Sequence, residues 1–312
     1  MQSETFHIPV LSHEAIELLI NEDIKEHILV DGTLGGGGYT KLICEKLNGY
    51  GTVISIDKDL NALEYSENML KDLNCNIEFI NGNFGELGSI LKETGIEKVT
   101  GIVLDLGLSS YQLEAEDGFS FMKDTDLDMR AFKKEDLKAS EVLNSYTKEE
   151  LMDIFEKYGE IGNAERLVKA ILLKRRNKKF RTTFDLNEVV NSEYSLNKKN
   201  QIDFLAKIYQ ALRIKVNNEL KNLENVLMDS VEFVIKGGRI VIISYHSLED
   251  RIVKNFFRDS ASKHIKSDSP YGDEEKIPEL KIITKKALVP SHTEIKTNSR
   301  SRSAKLRAAE II

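Results

Sequence analysis

Three short apolar runs, each ending in an aspartate, constrain this chain most. His27 to Asp31 reads HILVD, Thr52 to Asp57 reads TVISID, and Gly101 to Asp105 reads GIVLD. Ile77 to Ile80 forms a further short apolar run. Tyr39 to Leu47 and Leu60 to Leu73 lie between the runs and carry apolar residues at helical spacing. Short strands separated by helices of about 10–15 residues make βαβ units, and hence a parallel sheet. The expected fold class is α/β, a doubly wound Rossmann-like sheet.

The pattern changes after about Ser110. Glu135 to Asp229 contains no convincing strand, and its apolar residues sit at helical spacing, as in Leu151, Ile154 and Phe155. Gln201 to Val234 reads as one long helix or two abutting ones. The alternating pattern then resumes with a turn at Lys236–Gly238, a strand at Arg239–Ser244, a helix at Leu248–Phe257 and a late strand at Lys281–Thr284. Ser260 to Pro278 is polar, contains Pro270 and Gly272, and reads as a loop. These segments imply a Rossmann-like α/β domain, residues 1–112 and 213–312, interrupted by an inserted all-helical domain, residues 113–212.

Composition narrows the setting. The chain has 312 residues, 41% hydrophobic and 30% charged, enough for one large domain carrying an insertion. No apolar run approaches the ~20 residues that span a membrane, and no signal peptide is visible at the N-terminus. The two cysteines, Cys44 and Cys75, lack metal-site spacing and read as buried free thiols in a reducing cytoplasm. The net charge of −7 argues against a protein that coats nucleic acid nonspecifically. Two local stretches are nevertheless basic and free of acids. Arg166–Arg181 holds eight Lys or Arg residues, and Lys296–Arg307 holds Lys296, Arg300, Arg302, Lys305 and Arg307. Either could attract phosphate or be a solvated face. Nothing here sets the oligomeric state, and a homodimer is compatible with it.

The glycine cluster after the first strand, Asp31-Gly32-Thr33-Leu34-Gly35-Gly36-Gly37-Gly38-Tyr39, lacks the Gly-Lys-Ser/Thr of a P-loop. An acid just before the glycines fits a dinucleotide fingerprint poorly, but it can accept from the α-ammonium of S-adenosylmethionine. Asp57, 20 residues beyond Gly37, ends the second strand, where a carboxylate can take both ribose hydroxyls. Asp59 reads instead as the cap of the next helix. Phe84 follows the third strand, placed to stack on adenine or to be plain core. Asp105 ends the fourth strand, where open α/β sheets bind ligands. Methyl transfer needs positioning more than covalent help, and Asp105 or a neighbouring carbonyl could hold the N–H of an exocyclic base amine. No cysteine sits at this strand end to form a covalent pyrimidine adduct.

At these residues the chain resembles the bacterial 16S rRNA (cytosine-N4)-methyltransferase family, over nearly its whole length. The shared blocks include His7-Ile8-Pro9-Val10-Leu11, Asp31 to Gly38, Asp105-Leu106-Gly107-Leu108-Ser109-Ser110-Tyr111-Gln112 and Leu127-Asp128-Met129-Arg130. They continue with Gln210-Ala211-Leu212-Arg213-Ile214, Ser244-Tyr245-His246-Ser247-Leu248-Glu249-Asp250-Arg251 and Asn298 to Arg307. The resemblance implies a class I methyltransferase fold with a helical insertion that recognises substrate. It implies S-adenosylmethionine contacts at Gly37, Gly38, Tyr39, Asp57, Phe84, Asp105 and Gln112, to which the reading of the glycine turn adds Asp31 and Gly35. It also implies a catalytic role for Asp105 and a cytosine in the decoding region of small-subunit rRNA as substrate. Three positions depart from the family pattern, which usually has His at Tyr39, His-Pro-Ala-x-x-x-Phe at Asp203–Tyr209, and Asn-Pro-Arg at Asn298–Arg300. A divergent second copy of the enzyme would show such changes.

His246, at a strand's carboxyl end, and Asn298, Arg300 and Arg302 are the expected RNA contacts. Asp128 and Arg130 form either an internal ion pair or an RNA contact. The target base must be unpaired or flipped out to be reached, and with no Trp, stacking falls to Tyr111, Phe119, Phe121 or Tyr245. A non-catalytic RNA-binding assembly factor that keeps the cofactor fold is the alternative reading. An NAD-dependent oxidoreductase is disfavoured by Asp31.

Overall fold

The computed structural model describes residues 9–107, 117–133, 136–265 and 274–312. The chain divides into two compact units, Met1–Gly107 with Leu220–Ile312, and Leu108–Glu219.

In the first unit the apolar runs become strands β1 (Ile28–Asp31), β2 (Thr52–Asp57), β3 (Asn76–Asn81) and β4 (Val99–Asp105). Between and around them lie α1 (Ser12–Leu19), α2 (Gly38–Leu47), α3 (Leu60–Leu70) and α4 (Leu87–Glu93). The sheet is completed by β5 (Val234–Ser244), β8 (Leu280–Ile282) and β9 (Lys305–Ile311). The strand order is β3-β2-β1-β4-β5-β9-β8. The pairs from β3 to β5 are parallel and β9 is antiparallel to both neighbours. This is the expected Rossmann-like sheet of class I methyltransferases, with its switch point between β1 and β4. Apolar side chains on the two faces form two cores. Leu29, Val53, Val103 and Ile243 pack with α1 and α2 on one face, and Ile54, Ile102, Leu104 and Ile242 pack with Leu223, Val226 and Phe257 on the other.

Register positions the strand ends. Asp31 lies opposite Ser55 on β2 and Val103 on β4. β2 and β4 therefore each run two residues past the end of β1, to Asp57 and Asp105. At roughly 3.3 Å per residue the two aspartates stand some 6–7 Å farther out than Asp31, and a notch opens between them for the glycine loop.

Two segments depart from the sequence expectation. Lys236–Gly238 is not a turn before a strand but lies within β5. The register against β4 slips there, between Val99 and Gly101, and Gly237 takes φ 80°. A Cβ on Gly238 would stand 2.4 Å from Val234 Cγ1 and 2.8 Å from the Thr100 carbonyl oxygen, so the bulge needs glycine there. The second is the C-terminal basic stretch, which ends in β9. Leu306 and Ala308 face one core and Ala309 and Ile311 the other, and the interleaved charges hid this strand in the sequence. Within the polar Ser260–Pro278 stretch, a two-residue pairing joins β6 (His264–Ile265) and β7 (Glu274–Glu275).

The cysteines also depart from expectation. Cys44, in the last turn of α2, and Cys75, just before β3, form a disulfide with Cα atoms 5.4 Å apart. The sequence separation of 31 gave no sign that helix and strand meet within disulfide reach.

In the second unit the described helices are α5 (Ala139–Ser145), α6 (Lys148–Lys157), α7 (Glu165–Asn177), α8 (Thr183–Glu193) and α9 (Lys198–Asn217). The Gln201–Val234 stretch resolves into two helices, α9 and α10 (Glu219–Phe233), with Asn218 in the left-handed region between them. Leu143, Leu151, Phe155, Ile171, Phe180 and Leu212 form a separate core. No helix among the described residues is long and apolar enough to cross a membrane.

Candidate active site at the strand ends

Asp31 is fully buried, and its carboxylate is turned inward. Oδ1 accepts the Thr33 N–H at 3.1 Å, and Oδ2 accepts the N–H and hydroxyl of Thr40 at 3.1 and 2.8 Å. The first aspartate thus folds the glycine loop onto α2. Burial raises its pKa to about 6, and the charge of Asp57 adds to the rise against the Thr40 and Thr33 hydrogen bonds. As a direct acceptor for a cofactor ammonium, the expected role, Asp31 has both oxygens already engaged.

The glycines divide their work. The Gly35 N–H donates to Asp57 Oδ2 at 2.8 Å, tying the loop to β2. Gly37, at φ 76°, precedes α2, and a Cβ there would press on Ser66 and Leu70 at 3.0–3.3 Å. A Cβ on Gly38 would meet Pro9 at 3.0 Å. The first N–H groups of α2, Gly38 and Tyr39 included, have no intrahelical acceptor and present donors to an anionic group. The Tyr39 ring is core, 3% exposed, and its hydroxyl donates to the Val10 carbonyl. The departure from the family's usual His therefore falls on a packed position.

Asp57 also accepts the Asp59 N–H at 2.9 Å through Oδ1, and burial raises its pKa. Asp59 caps α3 by accepting from Asn61 N, as the sequence implied. Phe84 is partly buried against the sheet core and stands over the loop, its Cβ 3.2 Å from where a side chain on Gly32 would begin. Leu104 Cδ2 would lie 2.3 Å from that same Cβ, so only glycine fits between Leu104 and Phe84.

The pKa of Asp105 is raised to about 7. Burial is the chief cause, the charges of Asp31 and Glu249 add to it, and a hydrogen bond from Tyr245 opposes it. Its N–H donates to Thr33 Oγ1 at 2.7 Å, and its Oδ1 accepts the Tyr245 hydroxyl at 2.7 Å. Among the described residues, no hydrogen bond reaches Oδ2. No ion pair reaches Asp31, Asp57 or Asp105 there either. Gln112, and with it Tyr111, lies outside the described residues.

His246 caps α11 (Ser247–Ser260), its Nδ1 accepting the Glu249 N–H at 3.3 Å. Nδ1 as acceptor puts the neutral ring's proton on Nε2. Nε2 lies 3.1 Å from Glu249 Oε1 but out of hydrogen-bonding alignment, a buried polar atom without a hydrogen-bond partner. Asn298 caps the 3₁₀ turn Ser299–Ser303 by accepting from Arg300 N. Arg302 on that turn is exposed, whereas Lys305 and Arg307 are held by Asp250 at 3.2 and 2.7 Å. Two of the five basic residues of the C-terminal stretch therefore belong to the sheet.

The other basic stretch is largely paired within its own unit. Lys169 meets Glu165, Lys178 meets Asp185, Lys174 meets Glu188, and Arg175 donates to the Leu143 and Tyr146 carbonyls. Asp128 and Arg130 are an internal pair with contacts of 2.7 and 2.9 Å. Phe121 packs edge-on against Tyr209, their centroids 5.4 Å apart. Asn217, which the sequence reading did not single out as a working residue, clamps this unit. It accepts from Ala131 N and donates to the Met129 and Arg213 carbonyls.

Residues 4–312 match the model of the MraW methylase family. The chain belongs to that family. Among curated proteins it is similar to the ribosomal RNA small subunit methyltransferase H of Clostridium botulinum (strain Loch Maree / Type A3). That protein is 44% identical over 309 residues, covering 98% of this chain and 99% of its own length. The proteins of the same name from Clostridioides difficile (strain 630) and Fusobacterium nucleatum are 42% and 40% identical, covering 99% and 98% of this chain and 100% and 97% of themselves.

As a methylase of this family, the protein takes its methyl group from S-adenosylmethionine. The strand-end residues fit that cofactor. Three carboxylates that meet no Lys or Arg among the described residues, each with its pKa raised chiefly by burial, leave the site short of positive charge. A sulfonium and an α-ammonium supply it. The donors opening α2 suit the amino-acid carboxylate.

Proposed function

We propose that this protein methylates the N4 amine of a cytosine in the decoding region of 16S rRNA within the small ribosomal subunit, in the cytoplasm. Asp57 holds the ribose hydroxyls and Phe84 lies against the adenine. Gly35, Gly37, Gly38 and Tyr39 shape the backbone that receives the methionine end. When bound, S-adenosylmethionine supplies a methyl group already activated by its positive sulfur. Asp105 does what the chain itself must do. Its free Oδ2 accepts from the N4 amine and turns the nitrogen lone pair out of conjugation with the ring. It then receives the proton the amine sheds once the N–C bond has formed and sulfur has kept the S–C electron pair.

The observation that carries this reading is the Asp105 carboxylate at the switch point of the sheet, its Oδ1 held by Tyr245 and its Oδ2 without a hydrogen bond among the described residues. His246 stands at the strand end beside the target base, Asn298 and Arg302 lie along the phosphates, and the helical unit recognises the RNA around an unpaired target. Small subunits from a strain lacking the enzyme, incubated with the protein and labelled cofactor, should gain N4-methylcytidine in nuclease digests. Label confined to protein or DNA would sink the proposal.

A further inference from the structure

The carboxylate just described is itself held, and the residue that holds it is braced on three sides. Tyr245 follows β5 directly, beside the end of β4. Its hydroxyl donates to Asp105 Oδ1 at 2.7 Å. Its backbone N–H donates to Glu249 Oε2 at 2.8 Å, and the same oxygen accepts the His246 N–H at 3.2 Å. Glu249 is only 4% exposed. The Tyr245 ring lies against Gly107, where a Cβ would come within 3.2 Å of Cδ2. Gly107 has φ 131°, so a side chain there would be strained as well as crowded. From the other side Thr33 Oγ1 holds the Asp105 N–H.

A tyrosine hydroxyl with one proton has one strong bond to give. Here it is spent on Oδ1, so the carboxylate is held in one rotamer and Oδ2 is left over. We propose that Tyr245 is the positioning residue of the transfer: through its bond to Oδ1 it holds Asp105 so that Oδ2 alone receives the amine. Glu249 and Gly107 in turn hold Tyr245. This assignment rests on the reading of Asp105 given above. It explains why a Tyr and a buried Glu sit four residues apart at this strand end, where the sequence suggested only a stacking ring.

The arrangement also sets when Asp105 is charged. The groups facing it are Asp31 on β1, Glu249 on α11 and Tyr39 on α2, together with Tyr245 itself. Tyr245 in turn faces Asp105, Glu249 and Glu294. All these neighbours are acidic or neutral. The Tyr245 hydroxyl is the side-chain donor that opposes the upward shift of Asp105. Taking it away must therefore move the carboxyl titration to higher pH.

The test uses the full-length protein and rRNA methylation. Tyr245→Phe keeps the ring against Gly107 and removes only the donor. Turnover should fall roughly ten- to a hundredfold, the range expected for a hydrogen bond to a charged group. The KM for S-adenosylmethionine should stay within about twofold on the same grounds. The acid limb of kcat/KM should move to higher pH. Installing 3,5-difluorotyrosine at position 245, a stronger donor of the same shape, should move that limb to lower pH. A purely structural ring would shift the limb in neither variant. Asp105→Asn is measured beside them. If it is inactive while the acid limb stays in place for both Tyr245 variants, the positioning role is overturned and the reading of Asp105 stands. If Asp105→Asn turns over like the natural protein, both fall together.

Discussion

The two units treat their carboxylates in opposite ways. At the strand ends, Asp31 is buried and Asp57 and Asp105 are partly so; all three meet no Lys or Arg among the described residues and have raised pKa values. In the helical unit, burial also pushes Asp128 and Asp185 upward. There Arg130 and Lys178, with backbone donors, outweigh it and leave both below the ordinary carboxylate range. The difference is one of partners. A buried carboxylate with a guanidinium against it is a structural joint, and one without a cation is an unmet charge that a ligand can satisfy. Asp250 shows that the contrast concerns position, not unit. It belongs to the α/β unit, yet Arg307 and Lys305 hold its pKa down against burial, because it pins α11 to β9.

Removing one member of each class gives the sharpest break. Asp105→Asn should cut turnover by about 10²–10⁴-fold, the range for a lost proton acceptor, with the thermal transition within a degree or two of the natural protein. Radiolabelled methyl incorporation and a melting curve decide it, and a large loss of stability with activity intact would reverse the classification. Asp128→Ala should do the opposite. It strips the partner from Arg130 and should destabilise the protein by about 3 kcal/mol in denaturant titration. Calorimetric affinity for S-adenosylmethionine should be unchanged.

pH separates the classes more gently. Asp105 must be a carboxylate to accept from the amine, and its pKa is raised to about 7. The kcat/KM profile should therefore lose about tenfold per unit as pH falls below 7. A bound cation favours the charged carboxylate, so the corresponding limb in kcat should lie at lower pH. A profile flat from pH 8 to 5 would remove Asp105 from the chemistry.

The smallest effect belongs to the C-terminal basic stretch. Arg302→Ala should weaken RNA binding a fewfold and reduce the salt slope by about one, with stability unchanged. Arg307→Ala should instead lower stability, since Arg307 is tied to Asp250. Equal losses of RNA affinity in both would mean that the strand's own charges also touch RNA.

Much of the sheet was legible because its signal is local. TVISID became β2 at its predicted bounds, and Asp59 capped α3 as its position implied. β9 was not legible, because an antiparallel strand packed on both faces can carry Lys305 and Arg307 where a neighbouring Asp receives them. The disulfide was missed for a similar reason: nothing local marks two cysteines 31 residues apart as neighbours. The Arg166–Arg181 stretch looked like an RNA surface since its acids come from just before it and from α8, at Glu165, Asp185 and Glu188.

The three aspartates at strand ends are where sequence and structure divide. Their existence, order and place at the carboxyl edge follow from the sequence alone, since a run of buried apolar residues that stops at an acid sets where a parallel strand ends. Their roles do not follow. Asp31 turns inward to hold the glycine loop, Asp57 ties that loop to β2, and Asp105 keeps one oxygen free because Tyr245, 140 residues away, holds the other. Those assignments depend on register and on side chains brought from distant segments, and only the folded sheet supplies both.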